Sequence, residues 1–316
     1  MVPKRDANQP PQPERRRRLA VRLLAGGIGV AAGLALLGSL WPEADNAVRS
    51  DDLPTAESLA DPPSRAITLL LIGSDADRRG SVRNGAAPAG PANSDALALV
   101  QVNPKGALQV LTLPVEAAVQ LPGDKQLVAL GSLYRRGGPA LVAGATAALV
   151  GLPKGEPDRY LVLPRAALRQ VVDDLGRLEL SPDRSMRYVD KAQKYRIQLD
   201  GGLQQLGGAQ VEQLLRFRDR ERGEDGRRER QQMTIESLLR QMGQQQQLAQ
   251  LPDLLRQWQD QVDTNLTQSE ALSLLAVALQ HSEPVQFRSL GLRPPLKPGS
   301  PLREVDPTAR NQAWTR

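Results

Sequence analysis

A hairpin of apolar strands is the feature that most limits what this chain can fold into. Residues 66–73 (AITLLLIG) form a continuous apolar run of the length expected for a strand buried on both faces. Two further runs, 96–102 and 107–113, are joined by residues 103–106 (NPKG), in which proline and glycine are placed for a tight turn. The sequence therefore predicts a buried sheet that contains an antiparallel hairpin.

Helical patterns follow the hairpin and are interrupted by one more strand. A short strand is predicted over residues 160–163, and apolar residues recur at helical spacing before and after it. This order predicts an α/β fold, with an α-β-α sandwich around a mixed central sheet. The predicted helices are 139–150, 165–175, 209–218, 228–242, 248–262 and 268–281.

The N-terminal region predicts a membrane anchor. Residues 1–22 carry seven basic and two acidic groups, and the next nineteen residues, 23–41, carry no charge. About 20 apolar residues span a bilayer, and the preceding basic residues predict a cytoplasmic N-terminus with the rest of the chain outside the cytoplasm. A cleaved signal peptide is the alternative, although its apolar region is usually shorter, about 7–15 residues.

The remaining boundaries follow changes in composition. Residues 42–64 are rich in acidic residues, serine and proline and predict an extracytoplasmic stalk. The folded domain is predicted over residues 65–285. Residues 286–316, with many prolines and little apolar periodicity, predict a flexible tail.

The composition excludes several kinds of site. The chain has no cysteine and one histidine, His281, near the end of a predicted helix. Cysteine nucleophiles, thiolate metal sites, Ser-His-Asp triads and histidine-ligated zinc are therefore not expected. The formal net charge is +6, and the basic N-terminal tail supplies most of it, so the body is nearly neutral, which disfavours nucleic-acid binding.

An arginine-dense segment carries the strongest functional signal. Seven arginines fall within the fifteen residues 216–230. Guanidinium groups bind phosphate bidentately and stay charged at physiological pH, so the segment predicts a multiply charged phosphate ligand. Five acidic residues are interleaved with the arginines, and on composition alone a solvated charged face fits equally well.

The order of several motifs resembles the LytR-CpsA-Psr family of membrane-anchored cell-envelope enzymes. Each motif alone is a weak signal, whereas the ordered series is specific. The matching segments are 67–75 (ITLLLIGSD), 94–100 (SDALALV), 103–105 (NPK), 137–138 (GG), 172–176 (VDDLG), 199–210 (LDGGLQQLGGAQ) and the arginine-dense segment up to residue 231.

The resemblance implies a function and a location. It implies a phosphotransferase that attaches a glycopolymer from a polyprenyl-pyrophosphate carrier to a cell-wall acceptor hydroxyl, typically on peptidoglycan, with Mg²⁺ as cofactor. It also implies a single-pass protein of the bacterial inner (plasma) membrane with an extracytoplasmic C-terminal domain and no nucleic-acid partner. The apolar helices would form a groove for the polyprenyl tail.

The resemblance further implies roles for individual residues. Arginines would neutralise the pyrophosphate, and carboxylates at strand ends would bind Mg²⁺. The phosphate-binding residues would be Arg216, Arg218, Arg227, Arg230 and Gln231, and the metal ligands Asp75, Asp95 and Glu116. The catalytic residues would be Asp75, Asp95, Arg218 and Arg227. A strand-end turn or a helix cap is the alternative for each of the two aspartates.

The chain departs from the family pattern at several positions. Val115 stands where the family has a phosphate-binding arginine, and Glu116 stands where it has a metal-binding aspartate. Ala129 and Gly131 replace a lysine and an asparagine. One missing donor at such a site typically costs about 10²–10³ in rate. A paralogue that binds polyprenyl-phosphate lipid or envelope polymer without turnover therefore stays open as the second hypothesis.

Two arginines near these departures, Arg135 and Arg136, are candidates for shifted replacement charges. A third hypothesis, a nucleic-acid-binding regulator, is disfavoured by the predicted topology and by the nearly neutral body.

Overall fold

The structure, a computed structural model, describes residues 53–85, 92–191, 195–218, 221–280, 283–308 and 310. Beyond Leu53 these residues belong to one structural unit, Pro54–Arg316. The predicted basic tail, the predicted transmembrane anchor and most of the first half of the predicted stalk lie outside the described residues. Within the described ranges, no helix is both long enough and apolar enough to cross a membrane.

The described chain contains fourteen strands and six α-helices, and the first three strands precede every α-helix, as the sequence predicts. The strands are β1 (Ile67–Ser74), β2 (Ser94–Val102), β3 (Gln109–Leu113), β4 (Ala118–Gln120), β5 (Leu127–Ala129), β6 (Arg159–Pro164), β7 (Leu178–Leu180), β8 (Met186–Asp190), β9 (Tyr195–Leu199), β10 (Gln204–Leu206), β11 (Asp263–Thr264), β12 (Gln286–Ser289), β13 (Leu292–Pro295) and β14 (Arg303–Val305). The helices are α1 (Tyr134–Val150), α2 (Arg165–Asp174), α3 (Gly208–Arg216), α4 (Gly223–Met242), α5 (Gln245–Trp258) and α6 (Gln268–Gln280).

A mixed sheet with the strand order β11-β6-β1-β2-β3-β12 forms the centre of the fold. The predicted hairpin is confirmed, because β2 and β3 pair antiparallel, and β2 also pairs antiparallel with β1. Strand β1 pairs in parallel with β6, and β3 pairs in parallel with β12. The prediction of a mixed α/β fold is therefore confirmed.

Helices cover both faces of this sheet. On one face, Leu70 and Ile72 of β1 are buried in a cluster with Val142 of α1. Alternate residues of the same strands point the other way, and Leu69 of β1 packs in a separate cluster with Leu274 of α6. The strict alternation along β1 follows from the two-residue period of a strand. Two apolar layers thus hold one sheet between helices.

A smaller cluster lies beside the central sheet. The short strand pairs β7–β10 and β8–β9 pack against α2 and α3. Its fully buried side chains include Val172 of α2 and Leu214 of α3. This cluster holds α2 and α3 in place, and both helices contribute to the site described below.

Two glycines interrupt α1 near its start. Gly137 and Gly138 have φ/ψ of −154°/21° and 63°/−160°, which are not helical. The positive φ at Gly138 is one that a residue with a side chain adopts only at a cost. Regular helix therefore begins at Pro139, as predicted, where proline suits the first helical position.

The second half of the arginine-dense segment is helical, where the sequence predicts a loop before residue 228. Helix α4 begins at Gly223, and its first turn contains Glu224 and Asp225. Carboxylates stabilise the positive end of a helix dipole, so these acids favour the earlier start. The arginines that follow are consequently fixed on a rigid element.

The C-terminal region also differs from its prediction as a flexible tail from residue 286. Strand β12 is an edge strand of the central sheet, and the next buried residue, Leu290, belongs to the main core cluster. Strands β13 and β14 pair antiparallel outside the sheet. Prolines are tolerated there because a two-stranded edge leaves backbone N–H positions unpaired.

Candidate active site

The register of the central sheet gathers polar residues at one edge. Ser74, the last residue of β1, pairs with Ser94 of β2 on one side and with Pro164 of β6 on the other. Asp75 follows Ser74 in the chain, Asp95 follows Ser94, and Arg165 follows Pro164. Three charged residues are thus brought together because three strands begin or end at the same level.

Asp75 is held in a buried position by the segment that precedes β2. Only 6% of the residue is exposed. The backbone N–H of Asn93 donates to Asp75 Oδ1 at 2.7 Å, and the backbone N–H of Asp75 donates to the carbonyl oxygen of Asn93 at 3.0 Å. The strand-end alternative is therefore partly correct, because this carboxylate also closes a turn.

The electrostatic surroundings of Asp75 raise its pKa. Burial is the largest cause, because it disfavours the charged form, and the nearby negative charge of Asp95 adds to it. Hydrogen bonding from Asn93 and the positive charge of Arg216 act in the opposite direction without cancelling the shift. The structure thus brings together the two aspartates and one of the arginines that the sequence predicts.

A cavity of about 210 Å³ opens beside these residues. It lies over strands β1 and β2 and is bounded by helices α2, α3 and α4. Its polar lining residues are Ser74, Asp95, Arg165, Glu212, Arg216, Arg227, Gln231, Gln232, Thr112 and Thr234. Cations from three different helices therefore face one concave surface, as binding of a multiply charged anion requires.

Arg227 ties helix α4 to the start of β2. Its Nη2 donates to the backbone carbonyl oxygen of Asp95, and its Nη1 lies 3.3 Å from Glu224 Oε2. The Nε of Arg227 is buried and has no hydrogen-bond partner among the described residues. Arg227 thus fixes the start of β2 against α4 and also lines the cavity.

Arg216 and Arg165 share a buried carboxylate, that of Glu212 on α3. Arg165 Nε donates to Glu212 Oε1 at 2.6 Å, and Arg216 Nη1 lies 3.7 Å from the same oxygen. The guanidinium of Arg216 also lies over the ring of Tyr195, 4.9 Å from its centroid. These contacts hold the two arginines at the cavity.

Two of the predicted phosphate-binding arginines lie elsewhere. Arg218 is 63% exposed and forms an ion pair with Glu224 at 3.4 Å. Arg230 is buried, and its guanidinium donates to the carbonyl oxygens of Leu214 and Phe217 at the end of α3. Neither lines the cavity, and Arg230 instead completes the hydrogen bonds of a helix terminus.

The predicted metal ligands are only partly brought together. Asp75 and Asp95 lie close enough to influence each other electrostatically. Of the three predicted ligands only Asp95 lines the cavity, and Asp75 is buried beside it. Across the described ranges, no three acidic or histidine side chains are grouped closely enough to hold a metal ion by themselves. Mg²⁺ commonly takes only one or two carboxylates together with substrate phosphates, so the aspartate pair fits this ion.

The residues that replace the family cations make no contribution to the cavity lining. Val115 packs against the main core cluster, and its backbone carbonyl accepts a hydrogen bond from the N–H of Gly131 at 2.9 Å. Arg135 and Arg136 are exposed and do not line the cavity. The shifted replacement considered from the sequence is therefore not found at these two positions.

Two site residues, Arg165 and Glu212, were not predicted from the sequence. A signal for Arg165 was present, because it directly follows a strand, as Asp75 does. Glu212 carries no such signal, since it lies in the middle of an amphipathic helix and only the tertiary packing buries it.

An apolar cavity of about 320 Å³ adjoins the arginine-lined one. It runs between the sheet and helices α4, α5 and α6. Leu71, Leu163 and Ile235 line both cavities and therefore form the boundary between them. A ligand with an apolar chain and a phosphorylated end would fit with its chain in the apolar cavity and its phosphate in the arginine-lined one.

Comparison with known proteins identifies the family of the chain. The model of the LytR_cpsA_psr family matches residues 44–294 of the chain. The chain belongs to the LytR-CpsA-Psr family. The resemblance that the sequence motifs indicate is thereby confirmed.

Two members of the LytR-CpsA-Psr family illustrate the distance between this chain and its relatives. It is 24% identical over 186 residues to the polyisoprenyl-teichoic acid–peptidoglycan teichoic acid transferase TagV of Bacillus subtilis (strain 168), covering 57% of this chain and 47% of TagV. It is 21% identical over 275 residues to TagU of Bacillus mycoides (strain KBAB4), a transferase of the same description. This match covers 85% of this chain and 84% of TagU. The chain thus matches about half the length of TagV and most of TagU.

Solved structures of the LytR-CpsA-Psr family share the fold. The crystal structure of B. subtilis TagV superposes with a TM-score of 0.65 at 20% identity, covering 79% of this chain and 95% of TagV. A LytR-Csp2A-Psr enzyme from Actinomyces oris superposes with a TM-score of 0.62 at 18% identity, covering 83% of this chain and 92% of that enzyme. At these identities the likeness concerns the fold, and it agrees with the mixed sheet between helices.

Proposed function

We propose that this chain is a membrane-anchored phosphotransferase that attaches a glycopolymer from a polyprenyl-pyrophosphate carrier to a hydroxyl group of peptidoglycan. The observation that carries the proposal is the junction of an apolar cavity with a cavity lined by Asp95 and three arginines. The names of the relatives support it, since TagU and TagV are teichoic acid transferases that act on peptidoglycan.

The two cavities would bind different parts of the carrier. The isoprenoid chain would lie in the apolar cavity, because removing apolar surface from water supplies binding energy. The pyrophosphate would lie at Arg216 and Arg227, whose guanidinium groups stabilise the charge that develops on the leaving phosphate. Ile235 and the two leucines at the boundary would surround the first isoprene unit.

Asp75 and Asp95 would hold Mg²⁺ if it binds here. A bound Mg²⁺ would supply positive charge that offsets the negative charge of the pyrophosphate. The carboxylate of Asp75 is fixed by the N–H of Asn93, and the backbone of Asp95 is fixed by Arg227, so the Asp75 carboxylate and the Asp95 backbone occupy defined positions before any ligand binds. This preorganisation is what electrostatic catalysis requires.

The transfer step is an in-line displacement at phosphorus. The acceptor hydroxyl oxygen attacks the phosphorus next to the sugar, the bond from that phosphorus to the bridging oxygen breaks, and polyprenyl phosphate leaves with the electron pair. The hydroxyl proton must go to a base. One carboxylate of the aspartate pair would accept it.

A binding protein without turnover is the second candidate, and Val115 is the observation that favours it. This side chain contacts the core, so the position supplies no cation to the phosphates. The two candidates differ in one measurable respect. Both bind the carrier, whereas only the transferase releases polyprenyl phosphate.

The test uses the full-length chain in detergent with Mg²⁺, a prenyl-pyrophosphate-linked disaccharide and a soluble peptidoglycan fragment. Binding and release of prenyl phosphate are both measured. Arg227→Ala removes a cation that lines the cavity, and Arg240→Ala serves as its matched control, because Arg240 is an exposed residue of the same helix. Release that is lost only in Arg227→Ala supports the transferase.

The other outcomes separate the remaining possibilities. If the unmodified chain binds the carrier tightly but releases no prenyl phosphate, the binding protein is supported and the transferase is rejected. Failure to bind the carrier at all would overturn both proposals, and the arginines would then form a solvated charged face.

We also propose that residues 23–41 anchor the protein in the bacterial inner membrane with the folded unit on the extracytoplasmic side. The uncharged stretch behind a basic run supports this orientation. Fusion of alkaline phosphatase after residue 316 is expected to be active, and an inactive fusion together with a fluorescent cytoplasmic reporter would reverse the orientation.

A further inference from the structure

Arg165 is a cavity residue that the arginine-dense segment does not include. It is the first residue of α2 and directly follows β6, so the parallel pairing of β6 with β1 places it beside Asp75. It lines the same cavity as Arg216 and Arg227. The cation therefore comes from a different part of the chain than the family motif that supplies the other two.

The backbone at Arg165 is fixed by the loop that carries Asp75. The N–H of Arg165 donates to the carbonyl oxygen of Ala76, and the N–H of Ala166 donates to that of Asp77, both at 3.0 Å. The first turn of α2 and the aspartate loop therefore form one rigid unit. A change of position at Arg165 would also move Asp75.

The side chain of Arg165 is fixed as well. Its Nη1 donates to Asp77 Oδ1 and its Nε donates to Glu212 Oε1, each at 2.6 Å. Only 11% of the side chain is exposed. A guanidinium that two carboxylates hold in plane loses little further conformational entropy when it binds a ligand.

One end of this guanidinium remains available. Arg165 Nη2 has no hydrogen-bond partner among the described residues, while Nε and Nη1 are both occupied. Since Arg165 lines the cavity, the Nη2 donors are the part of the residue suited to a ligand there. An unpaired, largely buried guanidinium donor has a strong preference for an anionic acceptor.

We propose that Arg165 binds the pyrophosphate of the carrier and supplies the cation that this chain lacks at Val115. The inference rests on the proposed function, since it assigns a residue to the same site. It also explains how the chain tolerates valine at that position: the missing charge comes from the end of β6 rather than from the segment after β3. Glu212 and Asp77 are positioning residues in this arrangement.

The experiment measures binding of geranyl pyrophosphate to the full-length chain in detergent by titration calorimetry. Arg165→Gln keeps a hydrogen-bonding side chain but removes the charge, and we expect binding roughly 10-fold weaker or more. Arg165→Lys keeps the charge without the planar fork, and we expect an intermediate affinity. Thermal unfolding of each variant shows whether it is folded.

Arg169→Gln is the matched control. Arg169 donates to the same Glu212 carboxylate but is 40% exposed and does not line the cavity. We expect its affinity for geranyl pyrophosphate to stay within about 2-fold of the unmodified chain, because it loses only a partly solvated ion pair.

The outcomes distinguish this inference from the proposed function. If the unmodified chain does not bind geranyl pyrophosphate, the proposed function fails. If it binds and Arg165→Gln binds equally well, or if Arg169→Gln weakens binding as much as Arg165→Gln, the assignment of Arg165 fails alone. Should Arg165→Gln not unfold cooperatively, unchanged affinity in Arg165→Lys overturns the assignment and weaker affinity supports it.

Discussion

Arg230 donates to the carbonyl oxygens of Leu214 and Phe217, which lie at the end of α3 and have no partner inside that helix. Arg230→Met keeps a comparable buried volume and leaves these carbonyls unpaired. We expect the free energy of unfolding to fall by about 2–4 kcal/mol, since each lost hydrogen bond involves a charged donor. Urea unfolding followed by circular dichroism measures the change.

Arg240→Met is the control for this prediction. Arg240 lies on the exposed face of the same helix, so its replacement should change the free energy of unfolding by no more than about 0.5 kcal/mol. Equal effects of the two substitutions would show that Arg230 does not stabilise the end of α3.

Arg218 and Arg227 have the same chemistry but opposite exposure, and this difference yields a prediction about transfer. Arg227 is buried against Asp95, whereas Arg218 is largely in solvent and pairs with Glu224. We expect Arg227→Ala to lower the rate of prenyl phosphate release about 10²–10³-fold, and Arg218→Ala less than about 10-fold. A larger loss in Arg218→Ala would place that arginine at the reacting phosphates during turnover.

At the residue scale, Asp75 and Asp95 are candidates because the family resemblance assigns them and both lie at strand ends. The sheet register places them close to each other. Sequence position does not separate Arg227 from Arg230, because the two lie on neighbouring parts of one helix face and only tertiary contacts direct Arg227 to Asp95 and Arg230 to the end of α3. It does not find Glu212 either, since burial of a carboxylate depends on arginines distant in the chain.

At the element scale, Glu270 joins the start of α6 to strand β6. It forms a capping box with Thr267, whose backbone N–H donates to Glu270 Oε2 at 2.9 Å, and it accepts a hydrogen bond from Arg159 Nε at 3.1 Å. The hydrogen bond from Arg159 is the main reason that the pKa of Glu270 lies at about 2 instead of 4.5. We expect Glu270→Ala to cost about 1–2 kcal/mol of unfolding free energy at pH 7.

The pH dependence of this cost follows from the sign of the shift. A carboxylate with a lowered pKa in the folded state stabilises the protein above its unfolded pKa of about 4.5, and this stabilisation is lost as the pH falls toward 2. The difference in the free energy of unfolding between the unmodified chain and Glu270→Ala should therefore become smaller as the pH falls from about 4.5 toward 2. Glu270→Gln, which keeps the capping box, should cost less than half as much at pH 7. A difference independent of pH would contradict the ion pair.

The elements that the sequence predicted are those with long, regular patterns. Strands β1, β2 and β3 are continuous apolar runs, and their turn has a clear sequence. Strands β7 and β10 have three residues each, too few to show a period, and they exist because they pair with each other and pack under α3. Strand β12 was missed for a similar reason, since its pairing partner β3 lies far away in the sequence.

At the scale of the whole molecule, the apolar cavity predicts how binding depends on the length of the prenyl chain. Each added isoprene unit removes more apolar surface from water, at about 0.8 kcal/mol per buried carbon. We expect affinity to rise roughly 10-fold or more from geranyl to farnesyl pyrophosphate. Ile235→Trp should flatten this dependence, because it enlarges a side chain at the boundary of the two cavities.

Leu203→Trp provides the control for this measurement. Leu203 is an exposed residue away from both cavities, so the dependence on chain length should be unchanged. Equal affinities for the two pyrophosphates in the unmodified chain would show that the apolar cavity does not receive the prenyl chain.

The position of β12 has a consequence for the order in which the molecule is completed. Strands β1, β2 and β3 are close in the sequence and pair early, whereas the free edge of β3 receives its partner only when residues 286–289 have been made. Phe287 of that last strand also lines the arginine cavity. A chain in which β12 has not yet paired therefore presents an open strand edge, which is prone to pairing with other chains, and lacks a wall of the cavity. The same four residues, 286–289, complete the wall of the ligand site and cover the strand edge that would otherwise favour aggregation.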